Sequence, residues 1–72
     1  MQRFGEKLHT LRTRHGMTTR ALAQSLGYIS HSYIVLVEQG KKFPKVEFVV
    51  KVADLFGVPM ETLVRDELDL EQ

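Results

Sequence analysis

"HSYIVLVEQGKK", residues 31–42, decides how the rest of the chain is read. It opens on three polar or aromatic groups, His31, Ser32 and Tyr33, runs through four consecutive aliphatics, Ile34 to Val37, and closes on an acid, an amide, a glycine and two lysines. Val and Ile favour pleated backbone, so a buried strand is the first competitor. A strand needs a pairing partner, however, and no other segment alternates apolar and polar residues between turn signals. A helix from about residue 30 to residue 39 is expected instead, with Ser30 as its capping residue and Ile34 and Val37, three apart, on one face. Val35 and Leu36 then point outward, which is unusual for a surface helix and asks what docks there.

The flanking segments read as helices too. Glycines stand at 16, 27, 40 and 57, each just after a stretch of helical periodicity, where a left-handed residue lets the chain leave a helix. In the first segment Phe4, Leu8 and Leu11 recur at i, i+4 and i+7, with Arg12, Arg14 and His15 in the last turn, where cations suit the helix dipole. Thr18 or Thr19 can cap a short second helix whose inward residues are Leu22, Ala23 and Leu26. A fourth stripe runs through Val46, Val49, Val50, Ala53 and Phe56, with Glu47, Lys51 and Asp54 opposite. Pro59 suits the first turn of a fifth helix, in which Met60, Leu63, Val64 and Leu68 supply the apolar side, and the acidic end "RDELDLEQ" is expected to extend it. The expected fold is an all-α, compact five-helix bundle, a single domain over residues 1–72.

Composition narrows the function classes. The 72 residues are 43% apolar and contain no cysteine, so packing alone must hold the fold, and neither a disulfide framework nor a thiolate metal site is available. No stretch approaches the ~18 to 20 apolar residues of a membrane span, and no signal-peptide run follows Met1, so the chain reads as cytoplasmic with no membrane partner. A formal net charge of +1 hides an asymmetry: residues 1–45 carry +6 and residues 46–72 carry −5. One end could therefore face a polyanion while the other faces away. Catalysis finds little support. His9 and His15 are off the i, i+4 spacing of a helical metal site, His31 has no carboxylate or cysteine near it in sequence, and neither an activated nucleophile nor a glycine-rich phosphate loop is present. No enzyme activity, cofactor, metal or small-molecule substrate is expected.

Two short segments about Gly27, "TTRALAQSLG" and "YISHSYIVLVEQG", have the spacings that pack two helices nearly at right angles, with Ala23 small enough for the second helix to cross its backbone closely. With "EKLHTLRTRHGMTTRALAQSLG", "VEQGKKFP" and "KVADLFGVPMETLV" included, the chain resembles the XRE family, the Cro and lambda-repressor type of helix-turn-helix domain, over roughly residues 4–64 with the helix-turn-helix core at about 18–39. The resemblance implies a transcriptional regulator that binds double-stranded DNA, its third helix in the major groove and its second spanning the backbone. It also implies that His31, Ser32, Tyr33, Val35 and Leu36 meet base edges. Thr18, Thr19, Arg20, Ser30, Lys41, Lys42 and Arg14 are then the phosphate neighbours, and Arg12 and Glu38 form a structural pair between the first and third helices. If that pair is partly buried, losing one partner costs about 3–5 kcal/mol; if exposed, under ~1 kcal/mol.

Physical chemistry supports several of these roles without the family. Lysines on a loop beside a helix attract phosphates of any sequence, and imidazole, hydroxyl and phenol groups exchange hydrogen bonds with bases or backbone oxygens. Val35 and Leu36 would meet thymine methyl groups. The alternative is a protein-interaction module on the same fold, with Tyr33, Val35 and Leu36 as an apolar patch; in a third reading Tyr28 or Tyr33 covers the two aliphatics.

The sequence departs from the family's pattern in three places. The turn "LGYISHS" is one residue longer than usual, making Tyr28 or Ile29 an insertion. Val35 and Leu36 stand at outward places that are normally polar, and Lys45 replaces a capping Ser or Thr. A homodimer is expected through the fifth helix, where Val64 and Leu68 would form an i, i+4 pair. With no room for a separate sensing domain, any signal is expected to come through expression level, partner binding or proteolysis.

Overall fold

Phe4, Leu8 and Leu11 do share one buried face, on α1 (Phe4–Arg14). α2 (Thr19–Ser25) presents Leu22 and Ala23 inward, with Leu26 just beyond its end, and is capped by Thr18, whose Oγ1 accepts from the Ala21 N–H at 3.0 Å. α3 (Ser32–Glu38) buries Ile34 and Val37, α4 (Val46–Phe56) follows an open loop, and α5 (Met60–Val64) buries Leu63. These elements come from a computed structural model, which describes residues 1–28 and 30–70. Ile29, one of the two candidates for the extra turn residue, lies outside the described residues, as do Glu71 and Gln72 of the acidic end. Among the described residues the fold is an all-helical bundle of five helices with no strand, and no helix is long and apolar enough to cross a membrane.

α4 turns a different face inward from the one expected. Phe48, Val49, Val52 and Ala53 are buried, whereas Val46 is 71% exposed and Val50 also faces solvent. The segment "VEFVVKVADLF" is apolar almost all round, so periodicity admits two registers, and the largest side chain chooses between them. Phe48 packs edge-on against Phe4, Tyr28 and Tyr33, with ring centroids 6.1, 5.6 and 4.9 Å apart. Met60, expected in the core, is likewise exposed.

The acidic end does not extend α5. The helix stops at Val64, Arg65 takes extended backbone angles, and residues 66 and 67 form a turn. The cause is a remote cap: Lys7 is fully buried in α1 and its Nζ donates to the carbonyls of Thr62 and Arg65 at 2.7 and 2.9 Å, holding the end of α5. Asp66 then swings onto the start of α1 and accepts from the Gln2 and Arg3 N–H groups at 3.1 and 2.9 Å. These bonds, Arg3 first, hold the Asp66 carboxyl below its usual range. Leu68 is therefore outside any helix, and the expected i, i+4 pair with Val64 does not form. The charge split is also less clean than it reads, because Arg3 bridges Asp69 at 3.0 Å and Lys7 is spent internally.

Gly5, which the sequence reading passed over, fixes how closely α1 lies on α3. A Cβ built at residue 5 would overlap the Val37 carbonyl oxygen and stand 3.0 Å from that of Glu38. The obstruction is backbone, which cannot rotate away. Gly5→Ala is expected to cost about 1–3 kcal/mol through overpacking, despite alanine's better helix propensity; a thermal midpoint equal to wild type would show that the two helices separate freely.

Candidate nucleic-acid interface

α3 is the centre of the site, and two devices from α1 set its angle. One is the Gly5 contact at its last two residues. The other is a fork in which Arg12 Nε and Nη2 donate to Glu38 Oε2 and Oε1 at 2.7 and 3.0 Å, with side chains only 13% and 9% exposed. Arg12 also donates from Nη1 to the Met17 carbonyl at 2.9 Å, tying the turn before α2 into the same unit. His9 Nδ1 lies 3.1 Å from both Glu38 Oε1 and Arg12 Nη2, so its tautomer decides whether it donates to the acid or accepts from the guanidinium. Burial on its own pushes the Glu38 carboxyl up, but the hydrogen bonds and charges of Arg12 and His9 outweigh it and hold the group below its ordinary value. The same bond to Glu38 raises the Arg12 guanidinium. The structural pairing of Arg12 and Glu38 is thus present, and it is partly buried.

With Ile34 and Val37 buried, helical geometry decides what faces out. At about 100° per residue, Ser32, Leu36 and Gln39 fall within a narrow arc, and Val35 flanks it. Ser32 and Gln39 are exposed, while Val35 and Leu36 are half-buried. Gln39 was not among the sequence candidates; its spacing of three from Leu36 and seven from Ser32 is the signal that finds it. The helix is shorter than expected at its start. Ser30 stands two residues before it and its Oγ accepts from the Ser32 N–H at 3.1 Å, while His31 occupies the cap position without a side-chain bond.

Tyr33 has a different role from the one expected of it. Its ring stacks on Tyr28 at 5.7 Å and 7°, meets the edge of Phe48, and carries the Lys42 ammonium 5.6 Å from its centroid. Its hydroxyl accepts from the Lys45 N–H at 3.0 Å, which joins α3 to the start of α4. A ring so occupied is not a free anchor for a protein partner, which weakens the apolar-patch alternative. The tyrosine stack covers Phe48 and leaves Val35 and Leu36 partly accessible.

The loop after α3 carries the exposed lysines. Gly40, at φ 74°, ends the helix: its N–H bonds the Val37 carbonyl and the Lys41 N–H reaches back to that of Leu36, a closure that needs a left-handed residue. Lys41 and Lys42 are consequently delivered immediately beyond the outward stripe, and Lys45 is exposed at the start of α4. On the other side, Thr19 opens α2, and Arg20 lines a shallow depression of about 80 Å³ together with His31, Tyr28 and Gln24. Arg14 is exposed at the far end of α1. The fold therefore gathers His31, Ser32, Val35 and Leu36 on α3, with Arg20 beside its start and Lys41 and Lys42 beyond its end. Among the described residues no three His, Cys, Asp or Glu side chains converge on a metal position.

This arrangement, two short helices crossing about a glycine turn inside a five-helix bundle, defines a helix-turn-helix domain. The sequence matches the family model for that domain, described as "Helix-turn-helix domain", over residues 3–68. The chain belongs to this family and is XRE-like. It is 33% identical over 63 residues to the cryptic phage CTXphi transcriptional repressor RstR of Vibrio cholerae, a match spanning 88% of this chain and 56% of that protein. It is 37% identical over 57 residues to an HTH-type transcriptional regulator of Methanocaldococcus jannaschii, spanning 79% of this chain and 85% of the relative. A third relative, the HTH-type transcriptional activator BcrR of Enterococcus faecalis, is 36% identical over 64 residues, spanning 89% of this chain and 31% of its own length. The chain thus spans about half of the first relative and less than a third of the last.

Proposed function

We propose that this chain is a sequence-specific, double-stranded DNA-binding regulator of transcription that reads the major groove with α3 and binds as a pair of copies on two half-sites. The observation that carries the reading is the outward stripe of Ser32, Leu36 and Gln39, flanked by Val35 and continued by exposed lysines at 41 and 42. Ser32 and Gln39 exchange hydrogen bonds with base edges, Gln39 being suited to adenine, and the half-buried aliphatics meet thymine methyl groups. His31 lies at the leading end of the same helix. Arg20, Lys41 and Lys42, with Thr18, Thr19, Ser30 and Arg14 as further neighbours, hold phosphates and set the register without reading sequence. Tyr33 contributes through its hydroxyl and by seating the lysine loop. Residues 1–72 act as one binding unit with its core at about 18–39; it works without a catalytic step and, like its DNA, in the cytoplasm. The relatives include a protein named as a repressor and one named as an activator, so the reading extends to regulation but not to its sign.

Leu36→Ser tests the groove contact. Losing about one buried methylene's worth of contact or more, near 1 kcal/mol, should reduce preference for thymine at one position roughly five-fold while leaving affinity for unrelated duplex unchanged. Equal losses on every sequence, measured by competition binding at fixed salt, would move Leu36 out of the groove and into a purely structural role.

A further inference from the structure

Phe43 and Val46, each 71% exposed, are the most exposed large apolar side chains among the described residues. They frame the buried Pro44, directly after the lysine loop, and Val50 continues the exposed strip one turn along α4. Beside Phe43 opens a groove of about 380 Å³, whose apolar lining comes from Met1, Phe4, Val37 and Pro44. A solvent-facing phenyl ring next to a groove of a size to hold one is an unusual pairing on so small a surface.

We propose that this strip is the contact surface for a second copy of the chain, with Phe43 of each copy seated in the groove of the other. A knob and a hole that adjoin on one element complement the same surface rotated by a two-fold axis, so the contact closes on itself; on opposite faces they would build an open filament. The rim agrees, since Lys45 and Glu47 stand on either side of Val46 and the rotation offers each the opposite charge. One ring, one or two valines and a short groove fall well below the roughly 800 Å² per partner of a standard stable interface. The pair is therefore weak in free solution and strengthened on a shared duplex, which raises the effective concentration of one copy about the other. The inference rests on the DNA-binding reading for that last consequence alone. It gives the pairing a surface next to the end of α3, in place of the Val64 and Leu68 pair that the end of α5 removes.

The absence of cysteine makes the test direct. Val46→Cys puts a single thiol at the edge of the strip, and Leu55→Cys, nine residues on at about 100° each, puts one on the opposite side of α4. Leu55 is exposed as well. Treated with a short bis-maleimide without DNA over about a hundredfold range of protein concentration, Val46→Cys is expected to form covalent dimers in a yield that rises with concentration. Adding Phe43→Ser should lower that yield at least about tenfold with an unchanged thermal midpoint, because Phe43 is exposed, and Leu55→Cys should give only singly labelled chain. Equal yields from the two thiols, a Val46 yield that survives Phe43→Ser, or no dimer at any concentration would overturn the proposal. Dimers through Val46 in a protein that enriches no DNA sequence would keep this interface and remove the DNA reading; an enriched single half-site with no cross-link would do the reverse.

Discussion

Glu38→Ala should lower the stability of the domain by about 3–5 kcal/mol, because it leaves the Arg12 guanidinium in a site closed by α1, α3 and the turn before α2 with its fork unanswered. In a domain this size that is a fall of roughly 12 °C or more in thermal midpoint. An exposed pair would give less than ~1 kcal/mol, so the measurement separates the two cases. The pair also carries a pH signature. Glu38 titrates below its ordinary 4.5 when folded, so its contribution is complete above the unfolded value and fades as pH falls through the folded one. Wild type should lose stability below about pH 4.5 more steeply than Glu38→Ala, and parallel pH curves for the two proteins would exclude the buried pair as their source.

The second large effect concerns affinity. Replacing Lys41 and Lys42 together by alanine removes two exposed cations from the loop that Gly40 turns toward the α3 stripe. If each neutralises one phosphate, the log-log dependence of binding on salt becomes shallower by about 1.8, and affinity at 0.1 M salt falls roughly fifty-fold. The loss should be alike for every duplex, since phosphates carry no sequence. Neither lysine joins an ion pair in the fold, so the thermal midpoint should stay within about 0.5 kcal/mol of wild type. An unchanged salt slope would put the loop away from the backbone.

Much of the fold was legible because strong local signals agreed. The glycines at 16, 27, 40 and 57 all take positive φ, and Phe4, Leu8, Leu11, Leu22, Ala23, Ile34 and Val37 are all buried as their spacing implies. What escaped was decided by contacts distant in sequence. The register of α4 was ambiguous in a segment apolar all round, and only Phe48 meeting Phe4 and the two tyrosines resolves it. The end of α5 depends on Lys7, more than fifty residues earlier, and a lysine amid the apolar face of α1 reads as solvent-exposed until its two carbonyl partners are known. Gly5 gave no turn signal, because its purpose is close approach of two backbones within helical conformation. In the site, Arg12 with Glu38 and the lysine loop were legible from their place in the motif. The stacking of Tyr33 was not, since it needs Tyr28, Phe48 and Lys42 at once.

The measurement that goes straightest to the central claim is selection from random duplex DNA at fixed salt, repeated with Gln39→Ala. The account predicts an enriched, two-fold symmetric site with half-sites about one helical turn apart, A·T pairs where the α3 stripe docks, and loss of preference at one adenine in the variant. Recovery of no sequence above the starting pool, with uniform weak binding that vanishes at high salt, would contradict it and reduce the lysine loop to a non-specific polyanion contact.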